Sequence, residues 1–292
     1  QIEETFQKVG GSLGCRTALL IGGASMVSQI GALRRSAHII IGTPGRINDH
    51  LLRKTLVLST VSMLVLDEAD RMFDMGFLPQ IQQILRLTPP TRQTLLFSAT
   101  MPNEVFALAT HHMRAPVRIE IARAGTVAAR VAQEFFIVPR EQKNALLQKI
   151  LTDYHGSTLI FCRMKFGAKR LCAILRHLGY TVAEIHSNRS LGQRREALDG
   201  FKSGKYRVLV ATDIAARGID VSDIELVVNY DLPQQAEDYV HRIGRTGRAG
   251  QEGKAISFAT PIERGKMRDI ERLIRTAISI ATLPDLPPSR VG

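Results

Sequence analysis

Short runs of apolar residues alternate along the chain with longer segments in which apolar residues recur every three or four positions. The short runs have the length of strands, and the longer segments have the period of amphipathic helices. Strands that alternate with helices in this way predict parallel sheets covered by helices, which is the α/β fold class. In the first half, the predicted strands are residues 17–21, 38–41, 63–66 and 94–97, and the predicted helices are residues 25–35, 46–52, 78–85 and 103–112.

This alternation stops in a polar, Gly- and Ala-rich segment at residues 115–130 and begins again at Val131. The pattern therefore predicts two α/β domains joined by a flexible connection, with a ligand site in the cleft between them. The second half has predicted strands at residues 158–162, 181–185, 206–211, 225–230 and 255–259, and predicted helices at residues 166–178, 193–203, 236–242 and 262–276. The predicted divisions are a first domain at 1–122, a linker at 123–130, a second domain at 131–277 and a flexible Pro-rich tail at 278–292.

Three acids follow directly after the apolar run at residues 63–66, namely Asp67, Glu68 and Asp70. An uninterrupted apolar run predicts a strand that is buried on both faces of a parallel sheet. The carboxyl end of such a strand is where open α/β sheets bind ligands. Because Mg²⁺ prefers one or two carboxylates together with water and phosphate oxygens, the acids are candidates for a magnesium site. A solvated acidic turn is the alternative.

A tight turn follows the predicted strand at 38–41 and leads into a helix. Its residues are Thr43, Pro44, Gly45 and Arg46. The unpaired N–H groups at the start of the helix are suited to a phosphate group, and Thr43 adds a hydroxyl. A turn without a ligand is the alternative interpretation.

Polar residues follow two other predicted strands. Ser98 and Thr100 come after residues 94–97, where they could transmit a hydrogen-bond change or simply cap the next helix. In the second half, Gly218 permits a sharp backbone path and Asp220 could accept hydrogen bonds from ribose hydroxyls. For Asp213, in the same segment, a helix cap is the alternative.

A basic cluster near residue 245 combines a His and two Arg residues. If the segment is helical, His241, Arg245 and Arg248 share one face. Gly244 and Gly247 would each lower the stability of that helix by about 1 kcal/mol, which favours a close approach by a ligand or another backbone. Planar, permanently charged guanidinium groups suit a chain of phosphates. A basic, solvated helix end is the alternative.

The composition is that of a globular protein of 292 residues, with 45% hydrophobic and 23% charged residues. The net charge of +12 predicts a polyanionic partner, nucleic acid before membrane, although solubility alone is an alternative explanation. No apolar run approaches the roughly 20 residues of a membrane span. The three Cys residues lack the spacing of a metal site, and Cys162 and Cys172 are predicted to be buried thiols of a cytoplasmic protein.

Taken in order, these motifs resemble those of the DEAD-box RNA helicases, and the second half looks most like the bacterial members. The similarity covers almost the whole chain, and the order and spacing of the motifs are far more specific than any single motif. The matching segments are Gly22-Gly23 with Gln29 downstream, TPGR at 43–46, DEAD at 67–70, SAT at 98–100, LIF at 159–161, ATDIAARGID at 211–220, NYDLP at 229–233 and YVHRIGRTGR at 239–248.

The resemblance implies two RecA-like domains that close on ATP and RNA, so that one RNA strand bends and a duplex opens locally. At the nucleotide it implies that Asp67 and Glu68 hold Mg²⁺ through water and that Glu68 activates the attacking water. It also implies that Asp70 and His241 couple to Ser98 and Thr100. Arg245 and Arg248 are implied to contact the γ-phosphate, and Gly218 and Asp220 are implied to contact the nucleotide. The residues implied to contact the RNA backbone are Gly23, Thr43, Pro44, Gly45, Arg46, Arg194 and Thr212.

The chain also departs from the family pattern. It contains neither a phosphate loop of the form G-x-x-x-x-G-K-[ST] nor the Gln-containing segment that reads adenine. We therefore expect a fragment with an incomplete first domain, an exposed apolar sheet edge and no appreciable ATPase activity of its own. An ATP-independent RNA-binding module or decoy is the alternative function. The resemblance is compatible with a monomer and with partners in ribonucleoprotein or RNA-decay assemblies. Smaller departures, at residues implied to affect RNA contacts, are Met164, Ser187 and Leu191.

Overall fold

The structure, a computed structural model, describes residues 1–120, 131–213, 224–247 and 253–286. The chain divides into two compact units, unit 1 at residues 1–119 and unit 2 at residues 120–292. The predicted linker lies outside the described residues, as do Gly218, Asp220 and Arg248.

Unit 1 contains two pairs of parallel strands and the helices that pack against them. Within the pairs, Leu20 lies opposite Gly42 and Leu66 lies opposite Leu96. The elements in chain order are α1 (Ile2–Gly10), β1 (Thr17–Leu20), α2 (Met26–Arg34), β2 (Ile39–Gly42), α3 (Pro44–Leu52), β3 (Met63–Leu66), α4 (Ala69–Asp74), α5 (Leu78–Leu87), β4 (Gln93–Leu96) and α6 (Asn103–His112).

Local sequence signals explain where several of these helices begin. Ser25 precedes α2, and its side chain accepts a hydrogen bond from the N–H of Ser28. Pro44 is the first residue of α3, where its missing N–H has no cost. The predicted helix at residues 103–112 matches α6 at both ends. Neither α1 nor the short helix α4 was predicted from the sequence.

The prediction that β3 is buried on both faces is wrong for unit 1. Met63 and Val65 are 55% and 48% exposed, whereas Leu66 is 7% exposed. Side chains alternate across a strand, so Met63 and Val65 lie on one face and Leu66 on the other. Leu66 packs with Ile81 of α5 and Leu108 of α6. The two helices therefore cover a single face of this strand.

Unit 2 is built on a seven-stranded sheet with the strand order β11-β5-β10-β9-β6-β8-β7, in which neighbouring strands are parallel. The strands are β5 (Val131–Ile137), β6 (Thr158–Phe161), β7 (Val182–Ile185), β8 (Val208–Ala211), β9 (Leu226–Asn229), β10 (Gly253–Ala259) and β11 (Ser279–Ala281). The helices are α7 (Lys143–Asp153), α8 (Lys165–His177), α9 (Leu191–Lys202), α10 (Ala236–Ile243) and α11 (Arg264–Ile274).

The central strands of unit 2 are buried on both faces, as their apolar runs predict. In β6, Leu159 and Phe161 pack into the core on one face, while Ile160 packs into a second core on the other. Cys162 and Cys172 are buried free thiols, which confirms the sequence prediction for both. Burial raises the pKa of Cys172 to about 11, so this thiol stays protonated at neutral pH.

The predicted flexible tail is partly wrong, because residues that were assigned to it form β11. This short edge strand pairs with β5, and Ile280 lies opposite Phe135. Three residues are too few for a periodic pattern, so the strand was not recognised from the sequence. The elements β5 and α7 were also missed.

No helix in the described part of the chain combines the length and the apolar character that crossing a bilayer requires.

Candidate functional site

The acids after β3 are divided between the surface and the interior of unit 1. Asp67 and Glu68 are exposed, whereas Asp70 is 2% exposed. Thr100 donates two hydrogen bonds to Oδ2 of Asp70, from its backbone N–H at 2.7 Å and from its hydroxyl at 2.8 Å. The N–H of Asp70 donates to Oγ of Ser98 at 3.1 Å. The pairing of β3 with β4 thus places Asp70 in contact with both hydroxyl residues.

The two exposed acids have their own local contacts. Oδ1 of Asp67 accepts a hydrogen bond from the N–H of Glu68 at 2.9 Å. Glu68 adopts a left-handed backbone conformation, with φ of +50°, before α4 and forms an ion pair with Arg71. Their carboxylates fit the preference of Mg²⁺ for one or two carboxylates plus water and phosphate oxygens. Within the described ranges, no group of three or more His, Cys, Asp or Glu residues could hold a metal ion.

The loop after β1 lies beside the start of α3, because β1 and β2 are adjacent and parallel. The N–H of Thr43 donates to the carbonyl of Leu20 at 3.0 Å. A Cβ atom on Gly42 would lie 2.8 Å from that carbonyl oxygen, so only glycine permits this approach. Gly23 is exposed with φ of +79°, and Thr43 is also exposed, so both are accessible to a ligand.

The side chains of Arg46 and Gln29 hold this loop from two different helices. Nη1 of Arg46 donates to the carbonyl of Ala24 at 3.1 Å. Nε2 of Gln29 donates to the carbonyl of Ile21 at 3.1 Å and to that of Ala24 at 3.4 Å. The Arg46 side chain is 14% exposed and lies 3.5 Å from Asp49. Nη1 of Arg46 is therefore engaged in a hydrogen bond to the loop.

In unit 2, Arg242 connects the carboxyl ends of two strands to α10. Its side chain is 2% exposed and donates from Nε and Nη2 to the two carboxylate oxygens of Asp213, at 2.6 and 2.8 Å. Its Nη1 donates to Asn229 at 3.1 Å and to the carbonyl of Asp231 at 2.6 Å. This role of Arg242 was not predicted from the sequence. The position of Arg242 beside Ile243, in a helix with an apolar side, is the sequence signal that could have indicated its burial.

The prediction that His241, Arg245 and Arg248 share one helical face is wrong, because α10 ends at Ile243. Gly247 has φ of +66°, which is incompatible with a right-handed helix. The two glycines therefore follow the helix and do not weaken its interior. Arg245 lies in the turn beyond α10, and its Nε donates to the carbonyl of His241 at 3.3 Å. Arg248 is outside the described residues.

The remaining two predicted RNA contacts also lie in unit 2. Thr212 directly follows β8, is 9% exposed, and donates its N–H to the carbonyl of Ile185 at 3.2 Å. Arg194 lies in the first turn of α9, after a capping box formed by Ser190 and Gln193. Among the described residues, the buried Nε of Arg194 has no hydrogen-bond partner. This nitrogen is thus an unsatisfied donor in the first turn of α9.

A thiol nucleophile is excluded at this edge of the sheet. Cys162 follows β6 and is 1% exposed. Burial, together with the charge of Asp231, raises the pKa of the Cys162 thiol far above neutral pH. Cys162 therefore provides no thiolate at the carboxyl end of β6.

Comparison with known proteins matches both units to helicase families. Residues 1–108 match the DEAD/DEAH box helicase family, and residues 142–250 match the helicase conserved C-terminal domain. The chain is 42% identical over 275 residues to the ATP-dependent RNA helicase DbpA of Bacillus subtilis, covering 94% of this chain and 57% of that protein. It thus spans little more than half the length of this relative.

Solved structures agree with this match. A DEAD box protein from Methanococcus jannaschii is 41% identical with a TM-score of 0.52, covering 92% of this chain and 72% of that one. The Saccharomyces cerevisiae protein Dbp5, bound to RNA and ADP BeF3, is 30% identical with a TM-score of 0.84, covering 96% and 73%. These neighbours are two-domain RecA-like helicases, which confirms the predicted α/β fold class. The motifs, the fold and these similarities together show that the chain belongs to the DEAD-box RNA helicase family.

Proposed function

We propose that the chain provides the RNA-binding surface and part of the nucleotide site of an ATP-dependent RNA helicase. In this function, binding of ATP and RNA closes the two units, bends one RNA strand and separates a short duplex. The observation that carries the proposal is the contact of Asp70 with Ser98 and Thr100, because it joins the acidic segment to the end of the neighbouring strand. A change at the acids is thereby transmitted within unit 1.

At the nucleotide, Asp67 and Glu68 would hold Mg²⁺ through water, and their exposure supports this role. When bound, the ion neutralises charge on the phosphates. Glu68 would orient the attacking water and accept its proton. Arg71, as the ion-pair partner of Glu68, would limit the directions in which that carboxylate points.

Unit 2 would supply the positive charge for the γ-phosphate through Arg245 and Arg248. Guanidinium groups in this position stabilise charge that develops in the transition state of phosphoryl transfer. Gly218 and Asp220 would contact the nucleotide, and His241 would couple to the Ser98–Thr100 segment. These roles follow from the family motifs and remain part of the proposal.

RNA would be bound through its phosphate backbone. The exposed loop at Gly23, the first turn of α3 and the first turn of α9 carry backbone N–H groups and, in Arg194, a guanidinium group. Backbone contacts carry little sequence information, so binding would be sequence-independent and sensitive to salt. The net charge of +12 supports a polyanionic ligand. The residues assigned to this surface are Gly23, Thr43, Pro44, Gly45, Arg46, Arg194 and Thr212.

Hydrolysis of ATP requires a cradle for the phosphates, and these 292 residues contain no G-x-x-x-x-G-K-[ST] sequence. We therefore propose that this chain alone shows no appreciable RNA-stimulated phosphate release. The same absence favours a second candidate, an ATP-independent RNA-binding module or decoy. Action as a cytoplasmic monomer, with partners in ribonucleoprotein or RNA-decay assemblies, completes the proposal.

Fluorescence anisotropy with labelled single-stranded RNAs of unrelated sequence tests the RNA-binding part of the proposal. We expect similar affinities for all sequences and an affinity that falls as salt rises from about 50 to 200 mM. Arg194→Ala should weaken binding and lower the salt slope by about 1. Arg272→Ala is the matched control, because this Arg is 79% exposed on α11 and outside the assigned surface.

Two outcomes would contradict this assignment. Absence of RNA binding at low salt would reject the proposed function. Equal losses of RNA affinity in Arg194→Ala and Arg272→Ala would reject the assignment of Arg194 to the RNA-binding surface. Addition of MgATP tests the second candidate: a change in RNA affinity would reject the ATP-independent module. Clear RNA-stimulated phosphate release by the chain would overturn the predicted lack of ATPase activity.

A further inference from the structure

A buried polar network in unit 1 connects α2, α3 and the residues that follow α3. Gln29 and His50 are 4% and 0% exposed. Nε2 of His50 lies 3.2 Å from Oε1 of Gln29, and Nδ1 of His50 lies 2.8 Å from Oγ1 of Thr55. This network is separate from the contact of Asp70 with Thr100.

The hydrogen positions in this network follow from its chemistry. The carbonyls of Ile21 and Ala24 can only accept, so the amide NH₂ of Gln29 must face them. Oε1 of Gln29 therefore faces His50, which donates from Nε2–H. With Nε2 protonated, Nδ1 of the neutral ring accepts from the hydroxyl of Thr55 at 2.8 Å, a bond that competes with the carbonyl of His50, 3.2 Å from the same hydroxyl oxygen. Burial, followed by the charge of Arg46, lowers the pKa of His50, which favours this neutral form.

The network ends on the loop that the proposed function assigns to RNA. Two carbonyls of this short loop accept hydrogen bonds from side chains of two helices, Gln29 on α2 and Arg46 on α3. The loop contains Gly22 and Gly23, and glycine loses more backbone entropy than other residues when its conformation is restricted. A ligand that had to order a mobile loop would bind more weakly than one that met an ordered loop.

The alternative is that Gln29 and His50 are ordinary buried polar residues with satisfied hydrogen bonds. That alternative explains the bond between His50 and Thr55, which stabilises the end of α3. It does not explain why the amide of Gln29 is directed at two carbonyls of an exposed glycine loop. Those contacts restrict the loop itself and bring it into a fixed relation with the first turn of α3.

We propose that Gln29 and His50 are positioning residues for RNA binding. Gln29 holds the 21–24 loop through its carbonyls, and His50 holds the amide of Gln29 in the required orientation. The loop and the first turn of α3 then present their N–H groups to one phosphate backbone as a single preorganised surface. This inference rests on the proposed function, because it assumes that RNA binds at these two segments.

The test compares two variants of the same network in the 292-residue chain. Gln29→Met keeps the side-chain volume and removes the donors to the loop. Thr55→Val breaks the network at its far end and leaves the bond between His50 and Gln29 in place. We expect Gln29→Met to raise the Kd for single-stranded RNA about tenfold, the effect of losing one to two net hydrogen bonds. Thr55→Val should stay within about twofold of the wild type, although both variants lose a buried hydrogen bond.

A second measurement reports on the loop without RNA. Amide hydrogen exchange at Gly22 and Gly23 should be faster in Gln29→Met than in the wild type and unchanged in Thr55→Val. If circular dichroism shows that Gln29→Met is unfolded, His50→Met replaces it. His50→Gln is the rescue variant, because its amide can donate to Gln29 and should retain affinity that His50→Met loses.

The possible failures are distinguishable. If the wild type does not bind RNA, the proposed function is rejected and this inference with it. If the wild type binds RNA and Gln29→Met or His50→Met binds equally well, only this inference is rejected. Equal losses of affinity in Gln29→Met and Thr55→Val would also reject it, because they would show a general effect of destabilising unit 1.

Discussion

The backbone N–H and the hydroxyl of Thr100 both donate to the same carboxylate oxygen of Asp70, at 2.7 and 2.8 Å. Asp70 is the second residue of α4, directly after the exposed acids, and Thr100 follows β4. A displacement of α4 would therefore stretch two charge-assisted hydrogen bonds to the segment after β4. This contact gives unit 1 a direct connection between the acidic segment at Asp67 and Glu68 and the end of the adjacent strand.

Thr100→Val should destabilise the protein by about 1.5–3 kcal/mol, because the buried carboxylate of Asp70 loses the hydrogen bond from the Thr100 hydroxyl. Thr100→Ser is the control, since it keeps the hydroxyl and should differ little from the wild type. Urea unfolding of the three proteins measures the difference. Equal stabilities of Thr100→Val and Thr100→Ser would show that the hydroxyl contributes nothing to this contact.

Arg242→Met should destabilise unit 2 by about 3–5 kcal/mol, because it leaves Asp213 without the partner of a largely buried ion pair. Arg272→Met is matched in chemistry but affects an exposed pair with Asp269, and it should cost less than about 1 kcal/mol. Thermal or urea unfolding monitored by circular dichroism gives both values. A similar, small cost at the two positions would mean that Arg242 is not a structural connection between α10 and the strand ends.

Alanine substitutions at Gly42 and Gly31 should change the stability of the protein in opposite directions, lowering it at Gly42 and raising it at Gly31. At Gly42 the new Cβ would lie 2.8 Å from the carbonyl oxygen of Leu20 and 2.9 Å from Ile47, so the turn after β2 must shift. At Gly31, inside α2, the new Cβ would meet nothing within 4 Å, and alanine should stabilise the helix by roughly 0.5–1 kcal/mol. Differential scanning calorimetry measures both changes. Tolerance of alanine at Gly42 would contradict the close approach of the two strands.

Glu263 should contribute stability that depends on pH. Burial alone would raise the pKa of this carboxyl, but hydrogen bonds from Thr260, Arg163 and Lys266 lower it to about 2 from its ordinary value of 4.5. Because the pKa is lower in the folded state, the stabilisation is present above 4.5 and is lost as pH falls from about 4.5 towards 2. The difference in unfolding free energy between wild type and Glu263→Gln should therefore be larger at pH 7 than at about pH 3.

The control for this measurement is Glu141→Gln, at an exposed position elsewhere in unit 2. It should change the unfolding free energy little at either pH. A difference between wild type and Glu263→Gln that stays constant with pH would show that the three hydrogen-bonding partners do not stabilise the ionised carboxylate.

Local patterns were sufficient for much of the fold. The apolar runs predicted the central strands of unit 2 within one or two residues, because a buried strand has a clear signature in its own sequence. The short elements α4 and β11 were missed, since six and three residues carry too little periodicity. The helix predicted at residues 236–242 ends within one residue of α10, but the shared helical face inferred for His241 and Arg245 continued beyond that end.

By itself, the sequence determined the fold class, the order of the motifs and the family, since these depend on residue types and spacings along the chain. Tertiary structure decided which side chains are buried and which partners they meet. Arg242 and Asp213 are 29 positions apart, and they form an ion pair only because the fold brings α10 to the carboxyl ends of β8 and β9, which lie on either side of β6 in one sheet. Met63 and Leu66 belong to one apolar run, yet only Leu66 is covered by helices, because burial depends on what packs against each face of the strand.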